Sequence, residues 1–171
     1  MGLSVKWATC NVGASSPEDY GDYYAWGETS TKKEYTEDNC ATYGKSIGDI
    51  GGTSRDVAHV KWDGSWRMPT KAEFDELLNT ANCTWTWTTQ GGHKGYKVTS
   101  RENGNSIFLP AAGYRVGTSL NLTDTGGYYW GSTLYESNTW GAYYLYFFSD
   151  FPSTYWLNRY VGHTVRPVAE F

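Results

Sequence analysis

Between Tyr128 and Tyr160, 14 of 33 residues are Phe, Tyr or Trp, and only Glu136, Asp150 and Arg159 carry charge. Such rings bring large apolar area and lose little side-chain entropy on ordering, and Tyr and Trp keep one polar handle. A core takes up about half of that supply, and the remainder lies on a surface, where contiguous apolar area exists to touch something. The chain must therefore fold into something that both buries rings and displays them.

The rest of the composition narrows the class. Nine Trp, fifteen Tyr and twenty Gly with only 19% charged residues favour strands and turns over long helices. A length of 171 residues fits one domain over the whole chain, 1–171. A net charge of −4 leaves no basic footprint, so no nucleic-acid partner is expected. No apolar run approaches the ~18 residues of a membrane span, so no membrane insertion by this segment is expected. The N-terminal MGLSVKWATC lacks an apolar h-region, so any export signal of the natural chain lies outside it.

Along the chain, Ser4–Thr9 alternates as a short strand and Tyr23–Trp26 is a second candidate, with a turn-rich stretch from Gly13 to Gly21 between them. Glu28–Thr53 is polar and glycine-punctuated and reads as a long surface excursion. A short helix fits Ser54 to about Trp62. A clearer one begins at Thr70: Thr70-Lys71-Ala72-Glu73 has capping-box spacing, and Phe74, Leu77 and Leu78 form an apolar stripe. Cys83–Thr89 alternates strictly, with Trp85 and Trp87 on one face. Tyr96–Arg101 and Ser106–Leu109 flank Asn103-Gly104, a hairpin signal. Tyr128–Ser132, Ala142–Ser149, Ser153–Asn158 and Thr164–Val168 read as strands, and Pro152 places the third of these at an edge.

Catalytic chemistry is sparse. His59, His93 and His163 are scattered without metal-ligand spacing, so no metal or other cofactor is expected. No nucleophile elbow, phosphate loop or dinucleotide fingerprint occurs. Glu18-Asp19 and Glu37-Asp38 are neighbouring acids in polar loops, and nothing marks them as a glycosidase pair. Cys10, Cys40 and Cys83 form no C-x-x-C; they read as small buried hydrophobes, as one disulfide plus a thiol, or as a catalytic thiol. The chain is expected not to be an enzyme.

The Ala142–Ser149 strand carries the functional expectation. Ala142, Tyr144, Tyr146 and Phe148 share one side, Tyr143, Leu145 and Phe147 the other. Both sides are apolar, which fits a central strand covered twice. It also fits a strand that buries Leu145 and Phe147 and turns Tyr144, Tyr146 and Phe148 outward, the reading that two water-tolerant tyrosines favour.

Trp66-Arg-Met-Pro-Thr-Lys-Ala-Glu-Phe74 resembles the R-L-P-T-E-A-E-W signature of the formylglycine-generating-enzyme branch of the C-type lectin fold. Leu3–Ala14, Gly21–Glu28, Phe108–Arg115, Gly127–Trp130 and Val165–Val168 look like the Fibrobacter major paralogous domain family, common in surface lipoproteins of gut Bacteroidetes. The resemblance covers nearly the whole chain. It implies an α+β class, a C-type lectin-like fold of two helices with a twisted antiparallel sheet and long loops, and a cell-surface or extracellular setting, or a phage virion. Relatives include variable proteins of diversity-generating retroelements, whose C-terminal segment, here 128–163, is rewritten at adenine positions. The variable positions correspond here to Tyr144, Tyr146, Phe148, Phe151, Ser153, Tyr155, Trp156, Leu157, Tyr160, Val161 and His163. An Asn codon altered only at its adenines cannot become Trp, so Trp140 and Trp156 need other template codons or ordinary divergence.

The family's enzymatic features do not carry over. No Cys follows Cys83, the His cluster of iron-dependent sulfoxide synthases is missing, and Trp62-Asp63-Gly64 fails as a calcium-lectin triplet. The expected contacts are Tyr135, Trp140, Tyr144, Tyr146, Phe148, Phe151, Tyr155, Trp156, Leu157, Tyr160, Val161 and His163, engaging a protein or glycan ligand. The alternatives are a structural or adhesion module of a surface lipoprotein and a carbohydrate-binding module.

Overall fold

The helices begin where side chains close the first turn. In a computed structural model describing residues 1–171, α1 is Val57–Trp62 and α2 is Lys71–Leu78. Asp56 caps α1, its carboxylate accepting from the His59 N–H (3.1 Å) and also from the Gly52 and Met68 N–H groups. That cap sets the start two to three residues later than Ser54. The predicted capping box opens α2: Thr70 Oγ1 accepts from the Glu73 N–H (3.2 Å), and Glu73 Oε2 accepts from the Thr70 N–H (2.8 Å). Arg67 then clamps Glu73 through both Nη atoms (3.0 and 2.7 Å) and reaches Glu170 (2.6 Å). With the charges paired, Phe74 and Leu77 face inward, fully buried.

The eleven strands are β1 (Lys6–Trp7), β2 (Trp66–Arg67), β3 (Cys83–Gln90), β4 (His93–Ser100), β5 (Ser106–Pro110), β6 (Tyr114–Val116), β7 (Ser119–Asn121), β8 (Gly127–Leu134), β9 (Gly141–Phe147), β10 (Pro152–Asn158) and β11 (Val168–Ala169). The class is α+β with antiparallel strand pairing. The strands do not form one sheet; they group as β1-β11-β2, β10-β9-β8, β3-β4-β5 and the two-stranded β6-β7. The Asn103-Gly104 turn joins β4 to β5 as expected.

Three readings are corrected. Tyr23–Trp26 is not a strand; it touches the ladder only at Tyr24, which bridges His163. Thr164–Arg166 is extended and buried but pairs through a single bridge, Tyr129–Thr164, and only Val168–Ala169 joins a sheet. Glu28–Thr53 is irregular, yet it is pinned: Tyr35, Cys40, Thr42 and Ile50 are buried, Tyr35 Oη donates to Tyr23 O (2.6 Å), and Thr42 Oγ1 donates to Trp26 O (2.6 Å). All three cysteines are free thiols. The β6–β7 hairpin went unpredicted.

The core has two large clusters on either side of the β10-β9-β8 sheet. One gathers Phe74 and Leu77 of α2, Tyr96 and Val98 of β4, and Tyr129, Leu145 and Phe147. The other gathers Trp26, Ile50, Met68, Trp130, Ala142 and Tyr144. Two buried guanidiniums lock the loops around them. Arg166 donates to Asn11 Oδ1, Ala8 O and Phe108 O, and Arg159 donates to Gly141 O, Thr42 O and Lys45 O.

Candidate functional site: an aromatic groove

The register of β10-β9-β8 decides which rings can act together. Tyr144 pairs with Trp130 and Tyr155, Tyr146 with Tyr128 and Ser153, and Ala142 with Leu157. Paired residues share a side of the sheet. Tyr128, Trp130, Tyr144, Tyr146, Tyr155 and Leu157 therefore lie on one side, the groove face. Tyr129, Tyr143, Leu145, Phe147, Thr154 and Trp156 lie on the other, the helix face, toward α2.

The groove face is closed at one end and open at the other. Ala142 is fully buried, Tyr144 is 8% exposed, and Tyr146 and Phe148 are half-buried. Tyr155, on the outer strand, is 58% exposed. The β6–β7 hairpin forms the opposite wall. It is held by reciprocal N–H···O bonds between Arg115 and Gly162 (2.8 Å each) and between Tyr35 and Gly117 (2.8 and 2.9 Å). Gly162 permits that approach, because a β-carbon there would stand 2.8 Å from the Tyr35 ring.

Between hairpin and sheet lies a groove of about 410 Å³ lined by Tyr114, Val116, Tyr128, Tyr144, Leu157, Asn158, Tyr160 and Val161. Tyr128 and Tyr144 lie parallel on its floor, ring centroids 6.0 Å apart, and Tyr114 meets Tyr128 edge-on at 4.9 Å. No charged side chain lines it.

Hydroxyl partners separate these tyrosines from most of the structural ones, although the core Tyr96 and the Trp156-stacked Tyr135 also have none. Tyr23 Oη donates to Ala112 O, Tyr35 to Tyr23 O, Tyr129 to Pro110 O and Tyr143 to Glu136. The hydroxyls of Tyr114, Tyr128, Tyr144, Tyr146, Tyr155 and Tyr160 have no protein partner, and none of them is sealed from solvent. Burial raises the Tyr128 phenol to about 12 and pushes that of Tyr144 up as well, so both remain neutral donors at physiological pH.

The structure divides the expected contacts. Tyr144, Leu157, Tyr160 and Val161 line the groove, with Tyr144 and Val161 as buried floor and wall rather than projecting side chains. Tyr146, Phe148 and Tyr155 extend the groove face toward its open end. Phe151, 54% exposed, occupies the β9–β10 turn. Trp140, 50% exposed, sits at the β8–β9 turn outside the groove lining.

Tyr135 and Trp156 do not belong to this surface. Trp156 is on the helix face, stacked on Tyr135 at 4.6 Å with 7° between the planes, and its ring covers Gly141, where a β-carbon would stand 2.6 Å away. His163 is removed from the contact set. It is fully buried, stacked on Trp130 at 4.0 Å, and neither ring nitrogen has a hydrogen-bond partner. Burial holds its pKa well below the usual histidine range.

Sequence reasoning missed Tyr114, Val116, Tyr128 and Asn158. The signal for the first two was there: Tyr114-Arg-Val and Ser119-Leu-Asn alternate about Gly117-Thr118, and Gly117 takes the positive φ (55°) such turns need. Nowhere are three or more His, Cys, Asp or Glu side chains gathered so as to hold a metal ion. No helix is long and apolar enough to cross a membrane. Comparison of the chain with family models, curated proteins and solved structures found no match.

Proposed function

We propose that the chain is a non-enzymatic recognition domain of C-type lectin-like fold whose groove face binds a protein ligand. The reading rests on one observation: four tyrosines line an uncharged groove and two more, Tyr146 and Tyr155, extend its face, all with hydroxyls that make no bond inside the protein. Tyrosine ordered by its own scaffold presents apolar area and a hydrogen-bonding tip at low entropic cost, as in binding loops selected for recognition. The supporting resemblance is to Fibrobacter major paralogous domains and retroelement-diversified variable proteins. In such proteins, variation along 128–163 would fall mainly on this face. A surface-lipoprotein or virion setting accompanies that proposal.

The test is display of the chain against panels of surface proteins and glycans, with Tyr155→Ala as the control. Loss of about 2 kcal/mol or more of affinity is expected if Tyr155 is a central anchor, with the melting temperature unchanged. A ligand whose affinity ignores Tyr155, Tyr146 and Tyr160 alike would overturn the reading. Binding confined to glycans would favour the carbohydrate-module alternative.

A further inference from the structure

A second pocket, about 390 Å³, lies beside the β8–β9 turn, lined by Lys45–Gly48, Leu134, Glu136–Thr139 and Arg159. Its informative member is Arg159, 1% exposed. The guanidinium lies 4.6 Å over the Trp26 ring; Nε donates to Gly141 O (3.0 Å), and Nη1 donates to Thr42 O (3.0 Å) and Lys45 O (2.9 Å). No carboxylate pairs with it, and Nη2 has no partner although it is not sealed from solvent. Arg166, equally buried, differs on this point, because all three of its nitrogens donate within the protein.

Carbonyl oxygens satisfy a guanidinium's hydrogen bonds but bring only partial charge, so a buried arginine without an acid is an uncompensated cation. Desolvation accordingly pushes the Arg159 pKa down, with only the Cys40 thiol acting against it and no carboxylate to offset it. The rest of the pocket is rich in donors. The Lys45 ammonium makes no ion pair, and the Ser46, Ser137 and Thr139 hydroxyls face no protein acceptor. Asn138 uses Oδ1 to accept from the Trp140 and Gly141 N–H groups (2.9 Å each), which leaves its amide NH₂ free to donate. The single carboxylate, Glu136, is engaged by the Tyr143 hydroxyl (3.0 Å).

We propose that this pocket binds a compact oxyanion (a carboxylate, sulfate or phosphate group) through Arg159 Nη2 and Lys45. The site is independent of the aromatic groove. An anion there supplies the countercharge that the fold withholds from Arg159, and the hydroxyl and amide donors complete its coordination.

The experiment follows backbone amides by NMR in the intact chain while sodium acetate, sulfate or phosphate replaces sodium chloride at constant ionic strength. Saturable shifts confined to Ser46–Gly48, Ser137–Thr139 and the Arg159 side-chain N–H are expected, and the three anions distinguish the preferred oxyanion. Arg159 variants risk unfolding the loops that this side chain ties, so the test uses Lys45 and Glu136, whose side chains support no backbone. Lys45→Glu should weaken binding about tenfold or more, and Glu136→Gln should strengthen it a few-fold, about threefold. Shifts that chloride reproduces, that fail to saturate, or that survive Lys45→Glu unchanged would overturn the proposal.

Discussion

The two sides of the β10-β9-β8 sheet use the same residue types for opposite ends. On the helix face, Tyr129, Leu145 and Phe147 are sealed under α2 and the β3-β4-β5 sheet, and the Tyr129 hydroxyl is bonded inside. On the groove face, Tyr144, Tyr146 and Tyr155 run from buried to open along their sheet positions, and their hydroxyls have no protein partner. Aromatic content therefore does not distinguish a sealed face from an open one. What a ring's polar tip does adds to sheet position as a guide: Tyr129 is bonded inside, whereas the groove-face hydroxyls, like that of core Tyr96, are left without a protein partner.

The comparison breaks first, if it breaks, at Phe147. Phe147→Ala opens a cavity against Trp85, Trp87, Tyr96 and Tyr129, between the two sheets, and should destabilise by about 3–5 kcal/mol in denaturant titrations. A loss comparable to that of an exposed ring would mean the helix face is not the stabilising one.

Trp156 sharpens the boundary. Its stacking on Tyr135 and its cover of Gly141 give Trp156→Ala an expected cost of about 1–2 kcal/mol, between core and surface values. A melting temperature unmoved by this change would return Trp156 to the set of free contact residues.

His163 tests what lies behind the groove floor. Its folded-state pKa is depressed by burial, so the unfolded chain takes up a proton that the native state refuses. Stability is held above the ordinary histidine pKa near 6.5 and lost as pH falls below it, by up to about 1.4 kcal/mol per pH unit. His163→Phe preserves the stack on Trp130 and should flatten stability between pH 6.5 and 5. A wild-type profile already flat over that range would contradict the burial.

The smallest effect belongs to Tyr155. Tyr155→Ala should change stability by less than about 0.5 kcal/mol by chemical denaturation, because 58% of the residue is already in water.

The local rules were readable in the chain. The capping box at Thr70, the Asn103-Gly104 hairpin and the alternation of Ala142–Phe148 each depend on residues within a few positions, and each appears in the structure. Placement across strands was less legible. Period two separates Tyr144 from Leu145 but does not say that Trp156 lies opposite Tyr143, on the far side from Tyr144; that follows from the pairing of β9 with β10. His163 was misplaced because its burial is made by Trp130, Tyr128 and Tyr144, whose approach no short spacing encodes. Tyr114 and Val116 line the groove only because Arg115 pairs with Gly162, 47 residues later in the chain.

The most direct test compares two display libraries under protease challenge. One randomises Tyr146, Phe148, Ser153 and Tyr155; the other randomises Tyr129, Leu145, Phe147 and Trp156. If the groove face exists for contact and the helix face for stability, most members of the first library remain protease-resistant while the second collapses to near-wild-type sequences. Equal survival of the two libraries, or collapse of the first, would contradict that division.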